Sequence, residues 1–149
     1  MRGLKMINIV VPLVGSSQFF DDTQYQYPKP LIEVAGKTMI ELFLQNFHEM
    51  DKDIHYIFIV NESDCRKFHL DNILNILTRQ RCDIVKIAAE TKGAACSVLM
   101  AIEQINNNNS LIIANADQYI DISIYDVINS FNDSDAGVIT FESIHPRWS

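Results

Sequence analysis

The stretch INIVVP, residues 7 to 12, is an apolar run of strand length, and the loop LVGSS follows it directly at residues 13 to 17. The run is rich in β-branched residues and is nearly continuous rather than alternating. A strand that is covered on both faces needs this pattern, because neither side presents polar side chains to water. The stretch therefore predicts a buried strand whose carboxyl end opens into a loop of small residues.

Strand-like and helix-like patterns alternate along the rest of the chain. Further apolar runs of strand length lie at residues 55–60, 83–89, 110–116 and 136–142. Amphipathic stretches of helical periodicity lie between them, at residues 39–50, 64–79, 94–105 and from about residue 123. Thr38 and Glu41 have capping-box spacing at the start of the first of these. The alternation predicts βαβ units and an α/β fold, a three-layer sandwich around a mainly parallel sheet.

Composition and charge exclude several classes of protein. The 149 residues are 48% hydrophobic and 21% charged, which fits one globular domain with an apolar core. The net charge of -7 argues against a nucleic-acid surface, which needs clustered Lys and Arg. The sequence has no apolar run of about 18 residues, so no membrane span is predicted. Cys65, Cys82 and Cys96 form no CxxC pair, which indicates reduced thiols and a cytoplasmic protein; none is assigned a catalytic role.

Two early segments are candidates for phosphate binding. Gly15, Ser16 and Ser17 follow the first strand, and such small residues let backbone N–H groups approach an anion, although an ordinary turn explains them equally well. The loop is neither a GxGxxG fingerprint nor a Walker A loop. Proline on each side of Lys29 is expected to hold this lysine in an extended geometry and present its ammonium. A solvated turn lysine is the alternative.

The ends of two later strands carry further candidates. Gly93 and Ala94 open a helix, where small side chains allow a ring or a phosphate to approach free N–H groups; tight helix packing is a compatible interpretation. Asp117 follows the next strand, where a carboxylate is suited to Mg²⁺ shared with phosphates, although a lone aspartate also forms caps and turns. Ligands of parallel sheets bind outside the carboxyl ends of the strands. The convergence of these residues on one rim predicts a site.

Several segments together resemble a known family. The order IVVPLVG, PKPLIEVAGKTMIELFLQNF, TKGAACSVLMAIEQI, LIIANADQYID and GVITFESIHPRWS is similar to the sugar nucleotidyltransferases, from about residue 8 to the last residue. The chain looks most like a subgroup associated with bacterial capsule and surface-carbohydrate genes. The resemblance implies the Rossmann-like half of a glycosyltransferase-A-like fold. Residues 1–149 are then expected to form a single nucleotidyltransferase-like domain that is incomplete at its C-terminus.

The resemblance also implies a reaction and a role for each motif. A sugar 1-phosphate, or a comparable phosphomonoester, attacks the α-phosphorus of an NTP and pyrophosphate leaves. Lys29 would contact phosphate as a catalytic cation, and Asp117 would hold a catalytic Mg²⁺. The remaining residues would bind the nucleotide: Leu13, Val14, Gly15, Ser16 and Ser17 along its length, and Thr91, Gly93 and Ala94 at the base.

Two substitutions in the loop after the first strand depart from the family pattern and leave other functions as alternatives. Phe19 stands where the family has an arginine that clamps the outgoing pyrophosphate, and Ser17 replaces a second glycine. The alternatives are a catalytically degenerate protein that binds a nucleotide or a sugar phosphate, and a plain α/β interaction module. The expected partners are an NTP and a phosphomonoester, with no nucleic acid and no membrane. A second copy of the chain, in a homo-oligomer, is a further partner that the sequence allows.

Overall fold

The computed structural model describes residues 6–15, 26–50, 53–89, 91–131, 134–140 and 142. Its strands are β1 (Ile7–Pro12), β2 (Glu33–Val34), β3 (Lys37–Thr38), β4 (Ile54–Asn61), β5 (Cys82–Ile87) and β6 (Ser110–Ile113). Its helices are α1 (Met39–Gln45), α2 (Glu62–Phe68), α3 (Leu70–Leu77), α4 (Ala94–Leu99), α5 (Ile102–Ile105) and α6 (Ile124–Ser130). None of these helices is long and apolar enough to cross a membrane.

Four of the strands form one parallel sheet, in the order β5-β4-β1-β6. Ile7 of β1 is level with Ile54 of β4 on one side and with Ser110 of β6 on the other. The chain builds the sheet outward from β1 through β4 to β5, and then returns to place β6 on the opposite side of β1. This reversal of strand order is typical of Rossmann-like folds, and it confirms the predicted mainly parallel α/β architecture.

The side chains of β1 alternate between two apolar cores. Ile9 and Val11 belong to the first core, to which α1, α3 and α6 contribute. Val10 belongs to the second core, which contains Val98 of α4 and has Ile105 of α5 packed against it. Full burial of each such side chain stabilises the fold by about 1.5–3 kcal/mol. Because helices cover both faces of the sheet, the predicted three-layer sandwich is confirmed.

Asn8 is the polar exception in β1, and it is only 3% exposed. Its amide nitrogen donates to Oδ1 of Asn107 at 3.2 Å, and Nδ2 of Asn109 donates to Oδ1 of Asn8 at 3.3 Å. The backbone N–H of Asn109 also donates to Oδ1 of Asn107, at 2.9 Å. A buried amide requires such partners, since leaving it unpaired costs about 1–3 kcal/mol. The asparagine-rich loop before β6 therefore supports the centre of the sheet.

Several predicted elements differ from the structure. The helical stretch at residues 39–50 forms α1 only as far as Gln45, and a separate 3₁₀ turn follows at His48–Met50. The helical stretch at residues 64–79 is divided into α2 and α3 by His69, whose backbone is left-handed at φ 54° and ψ 37°. The stretch at residues 94–105 is divided into α4 and α5. The predicted strand at residues 136–142 does not form in its described part, where Val138 is 82% exposed. A strand needs a neighbour, and no described strand pairs with this segment.

The predicted capping box is present at the start of α1. Glu41 Oε2 accepts from the hydroxyl of Thr38 at 2.7 Å and from its backbone N–H at 2.8 Å, and Thr38 Oγ1 accepts from the N–H of Glu41 at 3.4 Å. The hydrogen bonds from Thr38, first from its side chain and then from its backbone, lower the pKa of Glu41. The carboxylate therefore adds stability above its ordinary pKa of about 4.3. That stability is lost as the pH falls through the lower pKa of the folded state.

We predict that Thr38→Ala lowers the free energy of unfolding by about 1 kcal/mol at pH 7, because α1 loses its side-chain cap. Urea unfolding followed by circular dichroism measures the change. The difference from the wild type should shrink once the pH falls below the pKa of folded Glu41. Thr38→Ser is the control, since it keeps the hydroxyl. Equal stability of Thr38→Ala and the wild type at pH 7 would contradict the role of the cap.

Candidate active site

The candidate site lies at the carboxyl end of the sheet, where the strand order reverses between β1 and β6. Such a position is where open α/β sheets bind their ligands. We call the residues that follow β1 and β6, together with those that open α4, the rim; they are residues 13–15, 114–117 and 91–94. The turn containing Lys29 reaches the rim from a different part of the chain.

Lys29 and Asp117 meet at the rim. Nζ of Lys29 donates to Oδ2 of Asp117 at 2.6 Å, although the two residues are 88 positions apart in the sequence. Their side chains are 36% and 40% exposed, so the pair is open to solvent and to ligands. The structure thus brings together the two residues for which the family resemblance implies catalytic roles.

The turn that presents Lys29 is held by its prolines. Pro28 is extended at φ -63° and ψ 151°, and Pro30 is buried. The backbone N–H of Leu31 donates to the carbonyl of Pro28 at 2.8 Å, and Leu31 packs against the first core. The prediction of an extended backbone at Lys29 is wrong, because Lys29 begins a 3₁₀ turn that ends at Leu31. The extended conformation lies one residue earlier, and the turn still directs the ammonium to Asp117.

Half-buried and exposed residues alternate at the start of the loop from β6 to α6, and Asp117 is one of the exposed ones. The N–H of Ala114 donates to the carbonyl of Val10 at 3.0 Å, which extends the pairing with β1 by one residue. Ala114 and Ala116 are half-buried against the first core, whereas Asn115 and Asp117 are exposed. Small side chains thus anchor the loop while the carboxylate remains accessible at the rim.

Asn46, which directly follows α1, holds the same loop. Its amide nitrogen donates to the carbonyl of Gln118 at 2.9 Å, and its amide oxygen accepts from the N–H of Ile120 at 3.0 Å. Sequence reasoning missed Asn46, because its partners lie 72 and 74 residues further along the chain. The one local signal was an asparagine at the end of a helix, which is a common capping residue and does not indicate a distant partner.

The segment after β1 directs its side chains inward. The N–H of Leu13 donates to the carbonyl of Ile59 at 2.8 Å. Leu13 packs against the first core and Val14 against the second. Gly15 is exposed and has a φ of 121°, a value that favours glycine. At this part of the rim the backbone, rather than the side chains of Leu13 and Val14, is available to a ligand. The predicted nucleotide-binding residues Ser16 and Ser17, and also Phe19, lie outside the described residues.

Thr91, Gly93 and Ala94 form a second group at the start of α4. The hydroxyl of Thr91 donates to the carbonyl of Gly93 at 3.2 Å and lies 2.6 Å from Oγ of Ser97, which is buried. Gly93 has φ 120° and ψ 169°, and Ala94 is exposed. The described contacts therefore place the predicted residues in two groups, Lys29 with Asp117 and Thr91 with Gly93.

The chemistry at Asp117 fits a cation that is shared with a phosphate. In the described ranges, no group of three or more His, Cys, Asp or Glu side chains converges to hold a metal ion. Mg²⁺ rarely needs such a cage, since it is usually bound by one or two carboxylates together with phosphate oxygens and water. An exposed carboxylate at a strand end, as at Asp117, is such a ligand.

Burial disfavours the thiolate form at two of the three cysteines. Cys65, Cys82 and Cys96 are free thiols. Burial raises the pKa of the Cys65 thiol, and burial also raises the pKa of Cys82. A reactive cysteine needs a lowered pKa, because the thiolate is the nucleophile. These shifts agree with the expectation that neither Cys65 nor Cys82 is catalytic.

Solved structures of nucleotide-sugar pyrophosphorylases have a similar fold. The nucleoside-diphosphate-sugar pyrophosphorylase from Vibrio cholerae RC9 matches with a TM-score of 0.61 and 23% identity, over 78% of this chain and 52% of its own. The UDP-glucose pyrophosphorylase from Acinetobacter baumanii matches with a TM-score of 0.64 and 15% identity, over 88% of this chain and 54% of its own. An apo UDP-glucose pyrophosphorylase matches with a TM-score of 0.58 and 13% identity, over 86% of this chain and 55% of its own.

These similarities establish the fold. The chain spans about half the length of the solved structures that it matches. No family model matches the chain, and no curated protein matches it at a significant level. The shared architecture agrees with the parallel, Rossmann-like sheet and with the position of the rim at its carboxyl end.

We predict that Gly93→Ala lowers the free energy of unfolding by about 1–3 kcal/mol, because other residues rarely adopt its backbone conformation. No heavy atom lies within 4 Å of a Cβ placed at Gly93, so the cost comes from the backbone and not from a clash. Urea unfolding measures it. The exposed neighbour Lys92 supplies the control, since Lys92→Ala should change stability by less than about 0.5 kcal/mol. A Gly93→Ala variant as stable as Lys92→Ala would show that the positive φ is not required.

Proposed function

We propose that this chain carries the nucleotide-binding part of a nucleotidyltransferase. The enzyme transfers an NMP group from an NTP to a sugar phosphate or a similar phosphomonoester and releases pyrophosphate. The proposal rests on the pairing of Lys29 with Asp117 at 2.6 Å, at the point where the strand order reverses. The fold shared with nucleotide-sugar pyrophosphorylases supports it. The resemblance to capsule-associated proteins and the absence of a CxxC pair favour a cytoplasmic step in surface-carbohydrate synthesis.

The two paired side chains have complementary tasks in such a reaction. Phosphoryl-type transfer depends on positioning the reactants and on stabilising charge on the transferring group. The ammonium of Lys29 offsets the negative charge of a phosphate held at the rim. Asp117 would hold Mg²⁺, which, when bound, neutralises charge on the phosphate oxygens. The exposed backbone at Gly15 and the start of α4 would accommodate the rest of the nucleotide.

Ligand binding has to separate the Lys29–Asp117 pair. In the free protein the ammonium lies on the carboxylate that would hold the cation. Asp117 would exchange Lys29 for a divalent cation, and Lys29 would exchange Asp117 for a phosphate. Binding of either ligand would therefore favour binding of the other. Solvent-exposed ion pairs contribute only about 0–1 kcal/mol. Charge-assisted contacts to a polyphosphate and its metal ion exceed this small cost.

A nucleotide-binding protein without turnover is the second candidate. Phe19 favours it, since the resemblance places a pyrophosphate-clamping arginine at this position. Removing one group that stabilises transition-state charge typically lowers the rate by about 10²–10³. The two candidates share the site and differ in turnover.

We predict that the protein carrying this chain releases pyrophosphate from an NTP with Mg²⁺ and a sugar 1-phosphate. A coupled phosphate assay over the common NTPs and a panel of sugar phosphates measures it. Lys29→Met and Asp117→Asn should each lower kcat/KM by about 10²–10³, because each removes charge stabilisation. Lys86→Met and Asp71→Asn are matched controls, since Lys86 and Asp71 form an ion pair of the same length, 2.6 Å, elsewhere.

The outcomes separate the candidates. Nucleotide binding without pyrophosphate release across the whole panel would support the binding protein and exclude the enzyme. Failure of every NTP to raise the Tm or to bind in calorimetry would exclude both. Equal losses of activity in Lys29→Met and Lys86→Met would remove Lys29 from the site.

We predict that Lys29→Met binds Mn²⁺ up to about fivefold more tightly than the wild type when nucleotide is absent, because the competing ammonium is gone. Electron paramagnetic resonance titration of free Mn²⁺ measures the affinity. Lys86→Met should leave the affinity unchanged, and Asp117→Asn should remove the site. An affinity in Lys29→Met that equals or falls below that of the wild type would show that Lys29 does not compete for the carboxylate.

A further inference from the structure

The loop that carries Asp117 has an irregular backbone. Residues 114–123 form no helix or strand between β6 and α6. Metal ligands on such loops need outside support, because a carboxylate that samples many directions binds a cation weakly. The free protein nevertheless holds Asp117 at 2.6 Å from Lys29.

Asn46 supplies support next to Asp117. It contacts the carbonyl of Gln118 and the N–H of Ile120, one and three residues beyond the carboxylate. The amide nitrogen donates and the amide oxygen accepts at the same time, so the two hydrogen bonds fix the orientation of the amide group. This two-point contact fixes the orientation of the loop backbone as well as its distance from α1.

Asn46 lies between two buried phenylalanines of the first core. Its backbone N–H donates to the carbonyl of Phe43 at 3.1 Å. Phe43 and Phe47, on either side, are 2% and 3% exposed and pack edge to face at 5.3 Å between ring centroids. The side chain therefore extends from a backbone position that is packed in the core to the loop that carries Asp117.

We propose that Asn46 is a positioning residue for Asp117. By holding the backbone just beyond Asp117, it directs the carboxylate to the cation that accompanies the nucleotide phosphates. This inference rests on the proposed function, since it assigns Asn46 to the same site. It adds a side chain from α1 to a rim that the sequence motifs build from the Lys29 turn and the strand ends.

A second contact between the same two regions supplies a control. The hydroxyl of Ser123 donates to Oε2 of Glu49 at 3.2 Å, six residues beyond Asp117 and at the start of α6. Glu49→Ala removes a link between the loop and the region after α1 but leaves both contacts of Asn46. If Asn46 only anchored the loop, substitutions of Asn46 and Glu49 would change metal affinity equally. If Asn46 positions Asp117, only the substitution of Asn46 changes metal affinity.

The test is Mn²⁺ affinity, measured by electron paramagnetic resonance on the full chain with Mn²⁺ as the probe. Asn46→Ala should weaken binding by about 10- to 100-fold, as loss of an outer partner of a metal ligand does. Glu49→Ala should bind Mn²⁺ as the wild type does. Circular dichroism and the Tm establish that each variant is folded, and a merely structural residue would lower the Tm without changing the affinity of the folded protein.

Asn46→Asp provides a second variant if Asn46→Ala does not fold. It keeps the shape of the side chain and an acceptor for Ile120, but it places a carboxylate oxygen against the carbonyl of Gln118. The added negative charge by itself would raise Mn²⁺ affinity, so a fall in affinity identifies lost positioning. We expect a fall.

Several results would overturn the inference. Wild-type affinity in folded Asn46→Ala would do so, as would unchanged or higher affinity in Asn46→Asp if Asn46→Ala is unfolded. Both results leave the proposed function standing, provided that Asp117→Asn still removes Mn²⁺ binding. A wild-type protein that binds neither Mn²⁺ nor any NTP with Mn²⁺ would instead overturn the proposed function together with the inference.

Discussion

The site depends on one strand that has neighbours on both sides and helices on both faces. β1 pairs with β4 and β6, and its successive side chains enter two different cores. A slip of one residue would exchange the faces and place Asn8 in the first core, away from its amide partners. The register is therefore fixed by packing on both faces and by the Asn8 hydrogen bonds. This fixed register sets the level at which the segments after β1 and β6 leave the sheet.

The net negative charge of the protein means that an anion can be attracted only at particular positions. The chain has a net charge of -7, so its overall field repels a polyphosphate. Binding of an anion would then require a cation at a defined place, and we propose Lys29, beside the carboxylate of Asp117, for this role. Alternating burial in the loop after β6 and the 3₁₀ turn after Pro28 present these two groups from two distant parts of the chain. The site thus combines two short segments whose positions are set by the cores beneath them.

Sequence patterns predicted the parts of this arrangement that depend on neighbouring residues. Continuous apolar runs identified β1 and β4. The flanking prolines led to Lys29 and a strand end led to Asp117, and the structure joins these two residues. Patterns failed where distant contacts or single backbone angles decide the outcome. The left-handed backbone at His69 does not alter the spacing of the apolar residues around it. The partners of Asn46 lie more than 70 residues away in the sequence. Residues 136–142 have a strand composition, but strand formation also requires a free and adjacent partner.

The reversed strand order also has a consequence for the folding of the chain. Ile7 pairs with Ile54 and with Ser110, so β1 can join β4 and β5 well before β6 has been synthesised. Until β6 arrives, one side of β1 is an open, apolar strand edge, which is the kind of surface that promotes association between incompletely folded chains. Closing the long connection to β6 costs entropy and slows the last step of sheet assembly. We therefore expect the rim to be completed late, in the same step that removes this edge.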